Sequence, residues 1–452
     1  MAATRIYRTS GTPTNRKKFT ISCWLKKCQL AGDMQIVNFY QDGSNRTQFS
    51  FNSSDQFDFI VKSGNSNTMR LKTTRLFRDV SAWYHIVMTV DTTQSTNTDR
   101  LKLYVNGEQN LSANNGFASE TYPSQNADAT VGGTHSIGAY DNGGSPTLYW
   151  DGLLAHLHYT DGYAYPASTF GETDSTSGIW VPKTNPSVTY GTNGFFLKFE
   201  NSGAMGTDSS GQSNTFTVGA GTLTQNIDTS TNNFATLNPL HKGSTLTGYT
   251  FANGNNTITF GSTTYPYTFS TQAVSSGKWY AEFKATANAT TVGIGISAGE
   301  NDGTYFSHSQ YDYAYYGYNG NIQSNQQASP AGYGSALSNN DILGVAMDLD
   351  NNKLYFSING TFQNSGVPTS GSTGTGAKSI SAPSSTPTGV YHFSVGDQNT
   401  QAGSVQCNFG SGFFGTTAVA SANADGNGFG AFEYAVPSGY YALCTKNIKE
   451  FG

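Results

Sequence analysis

The chain writes one hairpin phrase twice. In LKLYVNGEQ (residues 101–109), Leu101, Leu103 and Val105 alternate with their neighbours until the chain turns on Asn106-Gly107. In KLYFSINGT (353–361) the same design turns on Asn359-Gly360. Alternation closed by Asn-Gly is the strongest short-range signal for a β-hairpin, because both turn residues need positive φ and these two tolerate it. Two such corners, far apart in a chain of 452 residues, point to two β domains.

Short strands surround each corner. FTISCWLKKC (19–28) puts Phe19, Ile21, Cys23 and Leu25 on one face. IVNF (36–39), FDFIVK (57–62), WYHIVMTVD (83–91), SIGAY (136–140) and LYWDGLLAHLHYTDGYA (148–164) complete a first block. A second block opens at LNPLH (237–241) and runs through SSGKWYAEFKA, TTVGIGISAG, DILGVAMDLD, KLYFSING, GVYHFSVGD and SVQCNFG. Between the blocks the Pro, Gly and polar stretches PASTFGETDSTSG and VPKTNPSV read as a connector. No amphipathic helix exceeds two turns, and residues 363–388 read as a mobile surface loop. The fold class is all-β, with two antiparallel sandwiches joined by a connector. The boundaries are 1–172, a connector over 173–236 and 237–452.

Composition narrows the partners. Charged residues are 12%, about half the usual share, while aromatics reach 13% and glycines number 52. Hydroxyls and amides therefore build the surface, which suits sugars or neighbouring subunits. No basic stripe exists for nucleic acid. No run of 18 apolar residues exists, so no membrane insertion is expected. Met1 is followed by AATRIYRTS with no apolar core, which reads as synthesis in a host cytoplasm. The four cysteines, Cys23, Cys28, Cys407 and Cys444, are then expected as reduced, buried thiols.

FTISCW, WYHIVMTVDTT, LKLYVNGEQ, IGAY and YWDGLLAHLHYTDGYA follow one another in an order that resembles the laminin-G/concanavalin A-like jelly roll, over roughly residues 15–170. GKWYAEF, IGIS, DILGVAMDLDNNKLYFSINGT and VQCNFG resemble, in order, the SPRY domain, another concanavalin A-like sandwich. GFFLKFENSGAMGTDSSG looks like the opening strand of a laminin-G-like domain displaced behind the body of its fold. The strand at 194–202, with Phe195, Leu197 and Phe199, is thus expected to complete the first sandwich. The connector from Gly171 to Thr217, TSTNNFATLNPL and the closing GYYALCTKNI resemble an arrangement recurrent in tailed-phage structural proteins, especially of marine phages. That resemblance implies a setting on the virion surface.

Candidate chemistry is sparse. Glycoside hydrolases need two carboxylates at fixed separation, and concanavalin A-like ones usually carry Glu-x-Asp-x-Glu on one strand. No such run exists, and Glu300 and Asp302 come nearest. Asp348 and Asp350 belong to the SPRY-like phrase, with turn or surface roles. His85 is expected to be structural. His156 and His158 share a face that is expected to be polar and solvated. The laminin-G resemblance implies rim Ca²⁺, for which Asp42 (YQDGSN) and Asp141 (YDNGG) are the candidate ligands. Ordinary Asp-Gly turn chemistry is the alternative. In YFSHSQYDYAYYGYNGN (305–321), Tyr315 to Tyr318 read as framework, whereas Tyr305, His308, Tyr311 and Tyr313 read as a loop surface for glycan or a protein partner.

These features together lead to an expectation of a non-enzymatic phage virion surface protein. It would be a tail fibre, spike or baseplate-type adsorption protein that binds host-surface glycan, contacts other virion proteins of the tail or capsid, and forms a homo-oligomer. The alternative is a capsid decoration or head-fibre protein whose sandwich faces contact neighbouring subunits.

Overall fold

A computed structural model describes residues 3–241, 248–261, 265–299, 305–325, 327–328, 332–398 and 401–452. The chain divides into two compact units, Met1–Gln225 and Asn226–Gly452. Both are all-β and built from antiparallel sheets that enclose a core.

In the first unit an eight-stranded sheet runs in the order Phe117–Thr121, Ser66–Leu76, Gln56–Ser63, Asn45–Phe51, Met34–Asp42, Thr134–Ile137, Arg5–Thr9, Thr217–Ala220. Its partner runs Phe195–Leu197, Gly152–Asp161, Lys18–Lys27, Trp83–Asp91, Leu101–Val105, Glu108–Asn110. Phe19, Ile21, Cys23 and Leu25 all enter the core from one face of their strand, as period-two alternation requires. The strand Phe195–Leu197 pairs with Gly152–Asp161, with Leu197 opposite Leu157 and Phe195 opposite Tyr159. Phe195 and Leu197 are fully buried in the core, and Phe199 packs against it.

The connector is not a spacer. Residues 173–225 belong to the first unit, and 226–236 to the second. Trp180–Pro182 pairs with Gly171–Thr173, and Trp180 lies against the outer face of the six-stranded sheet beside Val87, Ala167 and Phe170. Pro and Gly shape this segment, but its aromatic side chains find a sheet face to cover.

In the second unit one sheet runs Tyr249–Ala252, Thr257–Phe260, Ser404–Asn408, Lys278–Ala287, Ile342–Asp348, Lys353–Ile358, Thr361–Phe362. The other runs Tyr267–Phe269, His392–Asp397, Val292–Ser297, Asp312–Tyr316, Ile322–Ser324, Gln327–Ala328. Residues 363–388, expected to be a mobile loop, instead carry short 3-10 turns and the strand Lys378–Ser379. They bury Pro368, Ile380 and Pro383, and the Tyr440 hydroxyl donates to the Pro368 carbonyl at 3.1 Å.

The two Asn-Gly corners are built alike. Asn106 and Gly107 have φ of 51° and 85°, and Asn359 and Gly360 have 48° and 80°, the positive pair that a two-residue hairpin turn requires. The Asn106 side-chain oxygen accepts the His85 amide at 2.8 Å, and that of Asn359 accepts the Ile342 amide at 2.9 Å. Each Asn thereby satisfies the amide one residue beyond the last rung, Ile86–Val105 in one hairpin and Leu343–Ile358 in the other. A Cβ on Gly107 would meet the Trp180 ring at 2.8 Å, and one on Gly360 would meet the Tyr434 ring at 2.7 Å. In both units the bare turn is the seat of an aromatic side chain from the segment that returns over the sheet.

Those returning segments bury polar strand residues. His85 stacks on Trp24 with ring centroids 4.7 Å apart, accepts the Trp180 indole N–H at Nδ1 (2.9 Å) and reaches the Ser22 hydroxyl from Nε2 at 2.8 Å. Burial lowers its pKa to about 3, so it is a neutral structural residue. In the second unit Glu282 accepts the Glu433 and Tyr434 amides, each at 2.8 Å, with the Tyr280 hydroxyl and Asn408 amide nearby at 3.2 and 3.3 Å. Burial nevertheless raises its pKa to about 7, against the pull of these donors.

Two outcomes follow. A fragment ending at residue 172 lacks Phe195 and Leu197, whose burial contributes about 1.5–3 kcal/mol each. It should show no cooperative melt, whereas residues 1–225 should melt as one unit; a folded, monodisperse 1–172 fragment would contradict this. For Glu282, the folded state holds its proton to higher pH than the unfolded chain, so stability falls as pH rises from about 4.5 through about 7. The stability difference between the native protein and Glu282→Gln should therefore move in favour of the variant by up to roughly 3 kcal/mol over that window. A difference that stays constant from pH 4 to 8 would refute the raised pKa.

Candidate functional site

The tyrosine-rich segment lies on the six-stranded sheet of the second unit. Asp312–Tyr316 is a strand, so its side chains alternate. Tyr313 and Tyr315 point into the core, while Ala314 joins an outer cluster with Tyr267, Phe269 and Phe306. Tyr313 was expected on a loop surface. It is instead 5% exposed, and its hydroxyl accepts the Ser381 amide at 3.0 Å. It is a framework residue, because the strand begins one residue before it. Tyr311 is half-buried and packs against the same core.

Tyr305 and His308 remain at the surface, half-exposed, with rings 5.4 Å apart and nearly perpendicular. What holds them is Phe306 between them. It is fully buried, and its carbonyl accepts the Gln398 side-chain amide at 2.6 Å. Beneath it lies Gly396, where a Cβ would stand 2.7 Å from the Phe306 Cβ and 2.8 Å from that of Tyr267. The Ser307 amide donates to Asp312 at 3.2 Å. The loop is thus pinned to the sheet at its centre and presents residues on either side.

The aromatic surface continues where the sequence reading did not place it. Tyr265 packs on Tyr305 with centroids 6.2 Å apart. Tyr316 packs on Tyr318 at 5.9 Å, and Tyr265 and Tyr318 both act electrostatically on Tyr316. His308, Tyr305 and Tyr265 therefore form one succession of rings, and Tyr316 and Tyr318 a second group within electrostatic reach of Tyr265. Tyr318 is 65% exposed and Tyr265 42%. Tyr316 and Tyr318 were expected as framework along with Tyr315. Parity alone reverses this for Tyr316, once Tyr315 is assigned to the core. Tyr265 carried no signal beyond its place two residues before the buried Tyr267.

The Ca²⁺ candidates do not fit a metal. Asp42 is exposed and caps its own turn, with Oδ1 accepting the Ser44 and Asn45 amides at 2.8 and 2.9 Å and the Asn45 side chain at 3.0 Å. Asp141 is buried and ion-paired to Arg5 at 2.5 Å, and it also accepts the Gly144 amide at 2.9 Å. A guanidinium already balances its charge. Among the described residues no group of three His, Cys, Asp or Glu side chains could hold a metal ion. Turn chemistry accounts for both residues.

The remaining candidates are structural or lie elsewhere. His158 is not on a solvated face. It is 1% exposed, stacks on Phe196 at 3.9 Å and contacts the Tyr190 hydroxyl at 2.9 Å through Nδ1. A register shift between Ala155 and His158, with His156 at φ 45°, and the returning segment at 163–190 together produce this. Burial first, then the neighbouring histidines, hold its pKa well below the ordinary range. Asp348 is buried against Lys278 at 3.0 Å and caps a turn through Asn351, and Asp350 accepts the Gly277 amide. Glu300 and Asp302 lie outside the described residues. All four cysteines are buried free thiols.

Residues 4–162, which lie within the first unit, match the family model described as "Concanavalin A-like lectin/glucanases superfamily". No curated protein matches the sequence. Solved structures similar to the chain include the SPRY domain of human HERC1, at 16% identity over 35% of this chain and 91% of that one, with a TM-score of 0.28. A native heptameric SAP-like pentraxin from Limulus polyphemus matches at 16% identity over 42% and 90%, with a TM-score of 0.29. Stonustoxin matches at 14% identity over 38% of this chain but only 27% of its own, with a TM-score of 0.28. Likenesses of this size concern the fold alone.

Phe306→Ala should release the loop without unfolding the unit. Truncating a buried Phe to Ala costs about 3–5 kcal/mol, here mostly local. Hydrogen exchange should accelerate at least tenfold over residues 305–311 and stay unchanged in the strands Lys278–Ala287 and Ile342–Asp348. Uniform acceleration across the unit would show that Phe306 supports the whole sandwich and not this loop.

Proposed function

We propose that the chain is a non-enzymatic virion surface protein that binds host-surface glycan through the second unit, as part of a tail fibre, spike or baseplate. The observation that carries the binding role is the pair of neighbouring ring groups, His308–Tyr305–Tyr265 and Tyr316–Tyr318, that stay in contact with solvent beside a pinned loop. Aromatic faces pack against sugar C–H groups, and phenols add hydroxyls at low entropy cost. Tyr316 is fixed by its strand and the Tyr305–His308 loop is pinned through Phe306, so these rings are ordered before the ligand arrives, which lowers the cost of binding. The lectin-containing family matched by residues 4–162 is in keeping with a binding role. The phage setting is supported by the resemblance of the connector and the closing segment to tailed-phage structural proteins.

Gold-tagged antibody against this chain, applied to intact phage particles and viewed by electron microscopy, tests the setting. Label at the tail is the expected result, and Tyr318→Ala particles should then adsorb to host cells several-fold more slowly. Label confined to the head would replace adsorption by capsid decoration and make the tyrosines subunit contacts. Particles that carry no label would sink both.

A further inference from the structure

The charge around the tyrosine rings restricts what they can hold. The last arginine of the chain is Arg100. The second unit, residues 226–452, has seven lysines against twelve carboxylates, so the full formal charge of −5 falls there. The first unit has seventeen of each and is neutral. No lysine or arginine occurs between residues 285 and 352, and none occurs in any strand of the six-stranded sheet. That sheet instead carries Asp312 and Asp397, 1% and 0% exposed. Asp397 acts on Tyr316 together with Tyr318 and Tyr265, and no cation is among the groups that do.

We infer that the tyrosine face is selective for an uncharged polysaccharide, an inference that rests on the glycan-binding reading above. Recognition of sulfate, phosphate or carboxylate on a glycan uses Arg or Lys, whose charged hydrogen bonds replace the lost hydration. Among the described residues the strands of this sheet offer none, and they carry two buried carboxylates. An acidic chain laid on Tyr316 would come within electrostatic reach of Asp397, and a group that disfavours the wrong partner sharpens specificity. Neutral sugars need only what is present. They need flat rings, phenol hydroxyls, the His308 imidazole and amides such as Gln323 on the adjoining strand Ile322–Ser324. Several rings in neighbouring groups suit an extended run of sugar units better than a single residue. Binding without ion pairs is also insensitive to salt.

Affinity electrophoresis of the full chain tests this, through gels containing dextran or mannan (uncharged) and alginate or heparin (acidic). The comparison protein is the double variant Tyr265→Ala/Tyr318→Ala, whose substituted side chains are exposed and outside the core. The expected result is retardation by an uncharged polysaccharide, about tenfold weaker in the variant and unchanged within roughly twofold between ~50 and ~500 mM salt. Retardation by alginate or heparin alone, lost in the variant, would overturn the charge selectivity and leave glycan binding standing. Retardation by dextran or mannan that the variant retains would remove the site from this face. Migration unaffected by all four would overturn the glycan-binding reading itself.

Discussion

Each sandwich depends on an Asn-Gly corner that does two jobs at once. The Asn side chain takes the adjacent strand's amide just beyond the last paired rung, His85 in one unit and Ile342 in the other. The glycine leaves room for a ring, Trp180 or Tyr434. Any Cβ there would be strained twice, by positive φ and by contact with that ring. The ring in turn anchors the segment that returns over the outer face of the sheet. The repeated phrase is therefore more than a shared turn. It is the fixed point from which the second layer of packing is hung.

Covering an outer sheet face changes the meaning of its residues. Alternation puts polar side chains outward, where water would satisfy them. Once a returning segment lies over them, the same side chains must find partners within the protein. His85 finds Ser22 and Trp180, His158 finds Tyr190, and Glu282 finds two backbone amides of the covering chain. These contacts orient the cover as much as the cover buries them. The six-stranded sheet of the second unit is treated differently. A single buried side chain, Phe306, pins a loop to it, and the rings on either side of that pin stay in contact with solvent.

This difference explains what was legible. Strand identity, the inward set from Phe19 to Leu25 and the return of Phe195 and Leu197 to the first core follow from period-two alternation and from the displaced-strand resemblance. The site was harder to read, because a one-residue shift in where a strand begins exchanges its faces. Tyr313 went inward and Tyr316 outward for that reason. His158 was misplaced because neither the irregularity at Ala155–His158 nor the cover from 163–190 leaves a local mark. Asp42 and Asp141 have the same loop chemistry in sequence. Only the fold reveals that Arg5, 136 residues away, already occupies Asp141.

The two units also solve solubility differently. In the first, cations and carboxylates are matched in number and form pairs such as Arg5–Asp141, Lys27–Asp55 and Arg70–Asp58. In the second, Asp228, Glu282, Asp312, Asp348, Asp397 and Asp425, six of the ten described carboxylates, are buried. Asp425 shows their use, with its oxygens accepting the Asn427, Phe429 and Ala442 amides and the Asn447 side chain. Much of the acidic charge in this unit is spent on organising loops. Around the six-stranded sheet the described surface is chiefly hydroxyl, amide and ring, which interacts with water much as a sugar does. Such a surface gains little from the salt-dependent attraction that steers charged partners. Specificity there must come from the shape and spacing of rings fixed by one strand and by a loop that Phe306 ties down, which a free loop could not hold constant.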